Sequence, residues 1–225
     1  MTAAVTPAGP SGNGSNGRRR IVFWRHGQTS WNAEHRFQGA ADVPLDDVGR
    51  TQAEQAARLL AGLRPHAIVA SDLVRATETA AALGRVTGLP VSTDPRLRER
   101  SGGEWEGLTD VEIRERYPER WAVWEPVGGE TLEEVATRFS AAVRDAAEQL
   151  GDGEVLVVVS HGSAIRAGIA ALLELPEPLW RRLESLSNCA WSVLREVPAG
   201  WRMSGWRLLE HNAGSLPEPV LSDDR

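Results

Sequence analysis

Three short apolar runs, each followed by a helical pattern, constrain the fold of this chain most. The runs span residues 21–24, 67–70 and 155–159, and they are apolar throughout, as expected for strands buried on both faces. The segments with the apolar spacing and the Ala and Leu content of amphipathic helices are 47–63, 73–88 and 131–150. This alternation predicts an α/β fold, in three α/β/α layers with a mostly parallel central sheet.

The two ends of the chain have a different pattern. Residues 1–17 are rich in Gly, Ser, Pro and Asn, which predicts a disordered tail because such a segment buries little apolar area. Residues 188–212 alternate apolar and polar positions about a Pro-Ala-Gly turn and predict a hairpin or a pair of edge strands. We therefore expect one domain over 18–215 and a flexible C-terminus over 216–225.

Composition excludes several classes of function. With 225 residues and a net charge of -6, the chain lacks the basic excess of a nucleic-acid binder. All 25 basic residues are Arg, which excludes Schiff-base chemistry on Lys. One Cys and five His without ligand spacing predict neither a disulfide nor a metal site. No apolar run approaches the ~18 residues of a membrane span, and we expect a cytoplasmic protein.

Polar side chains follow each of the three predicted strands. Arg25 and His26 follow the first, Arg75 lies one turn into the helix after the second, where Ser71 or Asp72 could act as a cap, and His161-Gly162 follows the third. Alone, His161 fits a satisfied core histidine and Arg75 a surface ion pair. Because ligands bind outside the carboxyl ends of parallel strands, the group instead predicts a phosphoryl site with a His nucleophile.

Seven motifs in order carry a resemblance to a known family. They are "RHGQTSWN", "FQG", "LDDVGRTQA", "SDLVRATETA", "RLRERSGGEWEGLT", "GGET" and "VVVSHGSAIRA", and they resemble the motifs of the histidine phosphatase superfamily, the phosphoglycerate mutase-like proteins. The resemblance implies a phosphoglycerate mutase-like fold and a metal-independent, cofactor-free phosphoryl transfer through a phosphohistidine.

The resemblance also implies roles for individual residues. His26 would be the nucleophile, and the proton donor would be Glu99, with Glu104 and Glu106 as neighbouring rivals. The phosphate-binding positions that it implies are Arg25, Asn32, Gln38, Arg75 and His161. Independently of the resemblance, Gly27 and Gly162 would let the backbone approach the phosphate closely, although glycines also simply punctuate loops.

The family contains mutases, phosphatases and members that have lost activity. The stretch between Glu99 and His161 is short, and a chain without Lys lacks the lysine contact of the mutases; both features favour hydrolysis. A cap-like segment at about 100–130, with Trp105, Trp121 and Trp124, would select the substrate, although these Trp residues also fit ordinary packing. A cofactor-dependent phosphoglycerate mutase and a non-catalytic phosphate-binding module remain the alternatives.

The closing segments narrow the expected substrate. "SNCAWSVL" and "WRLLEHNAG" resemble the C-terminal part of a group of actinobacterial phosphatases that act on glucosyl-3-phosphoglycerate. The expected partner is therefore a small-molecule phosphate ester, first a phosphorylated sugar or glycerate derivative, then ribazole phosphate or a broad range of phosphomonoesters. No nucleic-acid or membrane partner is expected, and the oligomeric state stays open, with a homodimer allowed.

Overall fold

The computed structural model describes residues 18–197 and 205–214. Its strands are Arg20–Arg25 (β1), Ala67–Ala70 (β2), Val91–Thr93 (β3), Val155–Ser160 (β4), Trp191–Val197 (β5) and Gly205–Ala213 (β6). Its α-helices are Ser30–Ala33 (α1), Asp47–Ala61 (α2), Val74–Thr87 (α3), Asp110–Arg116 (α4), Pro118–Val123 (α5), Leu132–Glu148 (α6) and Gly162–Leu172 (α7). Short 3₁₀ turns lie at Pro95–Leu97, Gly103–Trp105 and Glu177–Arg182.

The described strands form one mixed sheet in the order β3-β2-β4-β1-β5-β6. The first four run parallel to one another, and β5 and β6 are antiparallel to their neighbours. The three predicted buried strands are therefore adjacent at its centre, and the α/β class is confirmed. The predicted closing pair is present as β5 and β6, whereas its Pro-Ala-Gly turn lies outside the described residues, as do 1–17 and 216–225.

The sheet is buried on both faces because successive side chains of each central strand point to opposite sides. Along β1, Ile21 and Phe23 pack in the core that α6 and α7 cover. Val22 and Trp24 pack in the opposite core, under α2 and α3. This arrangement explains why the strands read as continuous apolar runs without polar alternation.

The predicted cap-like segment folds as short helices over its own aromatic cluster. Phe37, Trp105, Ile113 and Trp124 form a core separate from the two that cover the sheet. The Phe37 and Trp105 rings meet edge to face at 5.9 Å, a favourable geometry for aromatic pairs. Its expected role in substrate selection stays a prediction.

The prediction that Ser71 or Asp72 caps the N-terminus of α3 is wrong. Helix α3 begins at Val74 after Leu73, and no side chain of its N-cap residue makes a capping bond. The Val74 N–H donates instead to Oδ1 of Asp42 at 2.7 Å, so a loop distant in sequence satisfies this helix end. Of the predicted caps, Ser71 accepts from the N–H of Leu73, just before the helix, at 3.3 Å, and Asp72 accepts from Arg98.

No helix within the described ranges combines the length and the apolar character needed to cross a bilayer.

Candidate active site

Sheet register brings the predicted polar groups to one edge. Arg25 pairs with Ser160 across β1 and β4, and Ala70 pairs with Val159 across β2 and β4. The next residue of each chain segment therefore leaves the sheet at the same level. There the ring centroids of His26 and His161 lie 5.1 Å apart, although the two residues are far apart in sequence.

His26 presents one ring nitrogen as a free base. Its Nδ1 lies 2.7 Å from the carbonyl oxygen of Gly27, and because a carbonyl only accepts, Nδ1 carries the proton. Burial, followed by the charges of Arg75 and Arg25, holds the pKa of His26 well below its usual value. The ring is therefore neutral at pH 7, and its Nε2 lone pair is available for attack.

His161 is neutral for the same reasons but is differently bonded. Its Nδ1 accepts a hydrogen bond from Nε of Arg75 at 3.1 Å, and its Nε2 lies 2.8 Å from Oγ of Ser71. Because Nδ1 accepts, Nε2 carries the proton and donates to Ser71. Burial comes first among the causes that lower the pKa of His161, followed by Arg75. Ser71 is a neighbour of the site that the sequence analysis assigned only to a helix cap.

Two buried guanidinium groups flank the rings. Arg75, on the first turn of α3, donates from Nη1 to Ala41 O at 2.7 Å and from Nη2 to Gly39 O at 2.8 Å. Arg25 donates from Nη1 to Leu186 O. Arg25 and Arg75 are 3% and 0% exposed, so their charges act through little solvent. Backbone carbonyls from two loops thus fix the cations beside both rings.

Asn32 and Gln38 stand next to this group with donors to spare. Oδ1 of Asn32 accepts from Thr29 N at 3.1 Å, which leaves its amide Nδ2 as the donor end. Among the described residues that Nδ2 is buried without a hydrogen-bond partner. Oε1 of Gln38 accepts from Thr29 Oγ at 3.0 Å. One threonine therefore orients both amides, and a buried unpaired N–H suits an incoming oxyanion.

A further residue that sequence reasoning missed holds the loop of His26. Asn188, in the loop before β5, donates from Nδ2 to His26 O at 3.1 Å and to Asn32 Oδ1 at 3.3 Å. It links His26, the predicted nucleophile, to the amide of Asn32 that is predicted to bind phosphate. No sequence signal marks it, because its partners lie more than 150 positions away.

Glu99 reaches the first turn of α7. Its Oε1 accepts from the N–H groups of Arg100 at 2.7 Å and Ala164 at 2.9 Å, and its Oε2 accepts from Ser163 N at 3.1 Å. His161 is the N-cap of α7, so the carboxyl group lies within one helical turn of that ring. Three amide donors stabilise its ionised form.

The two rival carboxylates lie elsewhere. Oε1 of Glu106 accepts from Ala40 N and Gly102 N, each at 2.9 Å, so it joins two loops. Glu104 accepts from the exposed hydroxyl of Tyr117 at 2.8 Å. Neither contacts α7, and of the three carboxylates Glu99 is the one that the structure places beside the His161 turn.

Gly162 and Gly27 differ in what they do. Gly162 is the first residue of the 11-residue helix α7, where backbone amides favour an anion. A Cβ on Gly27 would lie 2.4 Å from the carbonyl oxygen of Gly49 on α2, a distance that real side chains do not reach. Gly27 is therefore required for close packing of α2, and its expected approach to phosphate is not needed to explain it.

The assembled group has the parts of a phosphoryl-transfer site. A neutral imidazole supplies a nucleophile, two guanidiniums and several N–H donors supply positive potential for phosphate oxygens, and a carboxyl group can carry a proton. No cluster of three or more His, Cys, Asp or Glu side chains suited to a metal ion occurs within 18–197 and 205–214.

Comparisons with known proteins agree with this assignment. The profile of the histidine phosphatase superfamily (branch 1) matches residues 21–209. A relative from Mycolicibacterium vanbaalenii, named glucosyl-3-phosphoglycerate phosphatase, is 44% identical over 88% of this chain and 96% of its own length. A probable phosphoglycerate mutase from Enterobacter sp. is 37% identical over 91% of this chain and 98% of its own.

A solved structure gives the same result. The mycobacterial glucosyl-3-phosphoglycerate phosphatase in complex with VO3 superimposes with a TM-score of 0.82 at 40% identity, over 87% of this chain and 100% of that one. The predicted phosphatase class is confirmed by the relatives with the higher identity. On the evidence of its motifs, its fold and these matches, the chain belongs to the histidine phosphatase superfamily.

Proposed function

We propose that this phosphatase hydrolyses a phosphoglycerate derivative, with glucosyl-3-phosphoglycerate as the first candidate, through a phosphohistidine on His26. The observation that carries the proposal is the state of the His26 ring, which is neutral, protonated on Nδ1 and flanked by two buried cations. The name of the relative at 44% identity supports the choice of substrate.

In the first step, Nε2 of His26 forms a bond to phosphorus while the bond from phosphorus to the ester oxygen breaks. Arg25, Arg75 and the Asn32 amide stabilise the phosphoryl oxygens as charge spreads over them. The departing alkoxide takes a proton from Glu99. The dianionic phosphate favours protonation of Glu99 while substrate is bound, because a nearby negative charge disfavours a second one.

In the second step, water attacks phosphorus and the bond to Nε2 breaks. Glu99, ionised after the first step, accepts the proton of that water. The products are the alcohol and inorganic phosphate, and His26 returns to its neutral form.

Two more buried arginines support a substrate with a second negative charge. Arg100 and Arg166 are 3% and 4% exposed, and Arg100 directly follows the proposed acid. Burial lowers the pKa of Arg100 to about 10, while the charge of Glu99 raises it and the charges of Arg181 and Arg166 lower it. The carboxylate of a glycerate bound beside Arg100 would favour the charged form of this guanidinium.

A substrate panel tests the proposal. We expect glucosyl-3-phosphoglycerate and 3-phosphoglycerate to be hydrolysed with higher kcat/KM than glycerol 3-phosphate, which lacks the carboxylate. Quenching a reaction with ³²P-labelled substrate should leave acid-labile, alkali-stable label on the wild type and none on His26→Ala. Label on another residue type contradicts the mechanism, and equal rates with glycerol 3-phosphate contradict the substrate class.

Phosphoglycerate mutase activity is the second candidate, because the Enterobacter relative bears that name. We supply 3-phosphoglycerate with 2,3-bisphosphoglycerate and follow both 2-phosphoglycerate and free phosphate. Hydrolysis predicts that phosphate release exceeds isomerisation, and the reverse ratio identifies a mutase. Activity without added metal is expected in excess chelator, since the proposed steps use side chains alone.

The proposed enzyme is cytoplasmic and has no nucleic-acid partner. A cytoplasmic enzyme with a small-molecule substrate fits the absence of disulfide-forming cysteine pairs in the sequence. The acidic net charge of -6 supports the expectation of no nucleic-acid partner. Sedimentation at several concentrations decides between a monomer and the homodimer that the sequence allows.

A further inference from the structure

Arg138, on α6, divides its hydrogen-bond donors between the Glu130 carboxylate and the backbone carbonyls of the short stretch 96–99. Its Nε and one Nη2 proton bind the carboxylate of Glu130, each at 2.8 Å. Its Nη1 donates to the carbonyl oxygens of Arg96 at 2.8 Å and Arg98 at 2.7 Å, and Nη2 donates to that of Glu99 at 3.0 Å. A guanidinium carries five N–H donors, and these contacts use all five.

The bonded stretch has no partner strand of its own. Residues 98–102 lie outside any helix or strand, between the turns Pro95–Leu97 and Gly103–Trp105. Glu130, held by Arg138, accepts from Ser101 N at 2.9 Å, and its own N–H donates to Ser101 O at 3.1 Å. This Arg138–Glu130 clamp therefore holds the backbone on both sides of Glu99.

We propose that Arg138 is a positioning residue for the proton donor: it fixes the backbone from which the Glu99 carboxyl group reaches the leaving oxygen. The inference rests on the proposed role of Glu99 as acid. That carboxyl group already spans from its own loop to Ser163 and Ala164 on α7, so a shift of its backbone moves it relative to the substrate. A misplacement of about 1 Å is enough to cost roughly 100-fold in rate.

A second effect of Arg138 has to be separated from this one. Its charge contributes to the lowered pKa of His161, after burial, Arg75, His26 and Arg25. Lysine retains that charge, but it offers three donors in place of a planar fork of five. Arg138→Lys therefore keeps the electrostatic effect and breaks the clamp, whereas Arg138→Gln removes both.

The experiment compares two leaving groups. A glycerate alkoxide needs a proton to depart, and nitrophenolate does not, so loss of acid positioning should affect only the first. We measure kcat/KM for 3-phosphoglycerate and p-nitrophenyl phosphate in wild type, Arg138→Gln and Arg138→Lys, each alone and with Glu99→Gln. We expect both Arg138 variants to lose about 10- to 100-fold on the alkyl ester and less than about threefold on the aryl ester. With Glu99→Gln present, Arg138 changes should not alter the ratio further.

Arg19 supplies a matched control. It also binds a carboxylate through two nitrogens, that of Glu196, and donates to a backbone carbonyl, that of Ala147. Its side chain is 25% exposed against 21% for Arg138. Arg19 precedes β1, whereas His26 follows the opposite end of that strand. Arg19→Gln should lower Tm to a similar extent and leave the ratio of the two rates unchanged.

Four outcomes would overturn the positioning role of Arg138. Equal losses on both esters, a wild-type ratio in Arg138→Lys, or the same ratio change in Arg19→Gln overturns the positioning role. If Glu99→Gln itself spares the alkyl ester, the acid assignment is wrong and the positioning role falls with it. Glu130→Gln, which keeps the side-chain shape, replaces Arg138→Gln should that variant fail to fold, with a smaller change of ratio expected.

Discussion

The rim of the sheet and the cap segment place their side chains by different means. At the rim, His26 and His161 each follow a central strand, so the parallel hydrogen-bond register sets their positions. In the cap, short helices pack around Trp105 and Trp124, and side chains such as Glu106 bind the connecting loops. Backbone register tolerates little variation, whereas a segment held by side chains can change with few substitutions. We infer that the chemistry resides in the first region and the choice of substrate in the second.

The largest expected effect is at the rim. His26→Gln removes the proposed nucleophile, and we expect kcat to fall by roughly 10⁴-fold or more. Because the ring is buried and neutral, the amide should keep the fold, and Tm measures this. Retention of more than a few per cent of the turnover would show that another residue is the nucleophile and would refute the assignment of the chemistry to the rim.

Glu99→Gln tests the boundary between the two regions. We expect a loss of about 10²- to 10⁴-fold on alkyl phosphates and a much smaller loss on aryl phosphates. Single-turnover rates for both ester types make the measurement. If Glu104→Gln or Glu106→Gln shows the larger difference between esters, the acid lies in the cap itself.

Substitutions of two buried aromatic residues, one in the cap and one under the sheet, test whether substrate choice depends on the cap alone. Trp105→Leu, in the cap cluster, should lower the preference for a phosphoglycerate over p-nitrophenyl phosphate by about tenfold, which corresponds to roughly 1.4 kcal/mol. Phe139→Leu, in the core under α6 and α7, should destabilise the protein by about 1–3 kcal/mol, since full truncation costs more, and leave that preference unchanged. A shift of preference in Phe139→Leu alone would refute the division.

The smallest effect concerns pH and belongs to the rim. The pKa values of His26 and His161 lie well below the usual value, mainly through burial, so the unfolded chain binds more protons than the folded one below about pH 6.5. Stability is therefore complete above that pH and is lost as pH falls. Urea unfolding at pH 7 and 5.5 should differ by about 1 kcal/mol for each ring. His26→Gln with His161→Gln should flatten this dependence, and the exposed His35→Asn should not.

The parts that sequence could predict are those governed by short periods. Continuous apolar runs gave β1, β2 and β4, and helical spacing gave α2, α3 and α6 to within three residues. Ser71, Asn188 and Arg138 went unnoticed in their roles, because each acts through partners about 40 to 160 positions away. The prediction of the α3 cap failed for the same reason, because Asp42, in another loop, accepts the hydrogen bond from the first N–H of the helix.

The position of β1 in the sheet has a consequence for synthesis. Of the described strands, β1 leaves the ribosome before the others, yet both of its neighbours, β4 and β5, begin only at Val155 and Trp191. At about 5–20 residues per second, its apolar edges remain unpaired for on the order of ten seconds. During that interval the strand that precedes His26 exposes unpaired backbone N–H and C=O groups, which can pair with other chains. The pairing of β1, and with it the surroundings of His26, is therefore complete only after β5 has been synthesised.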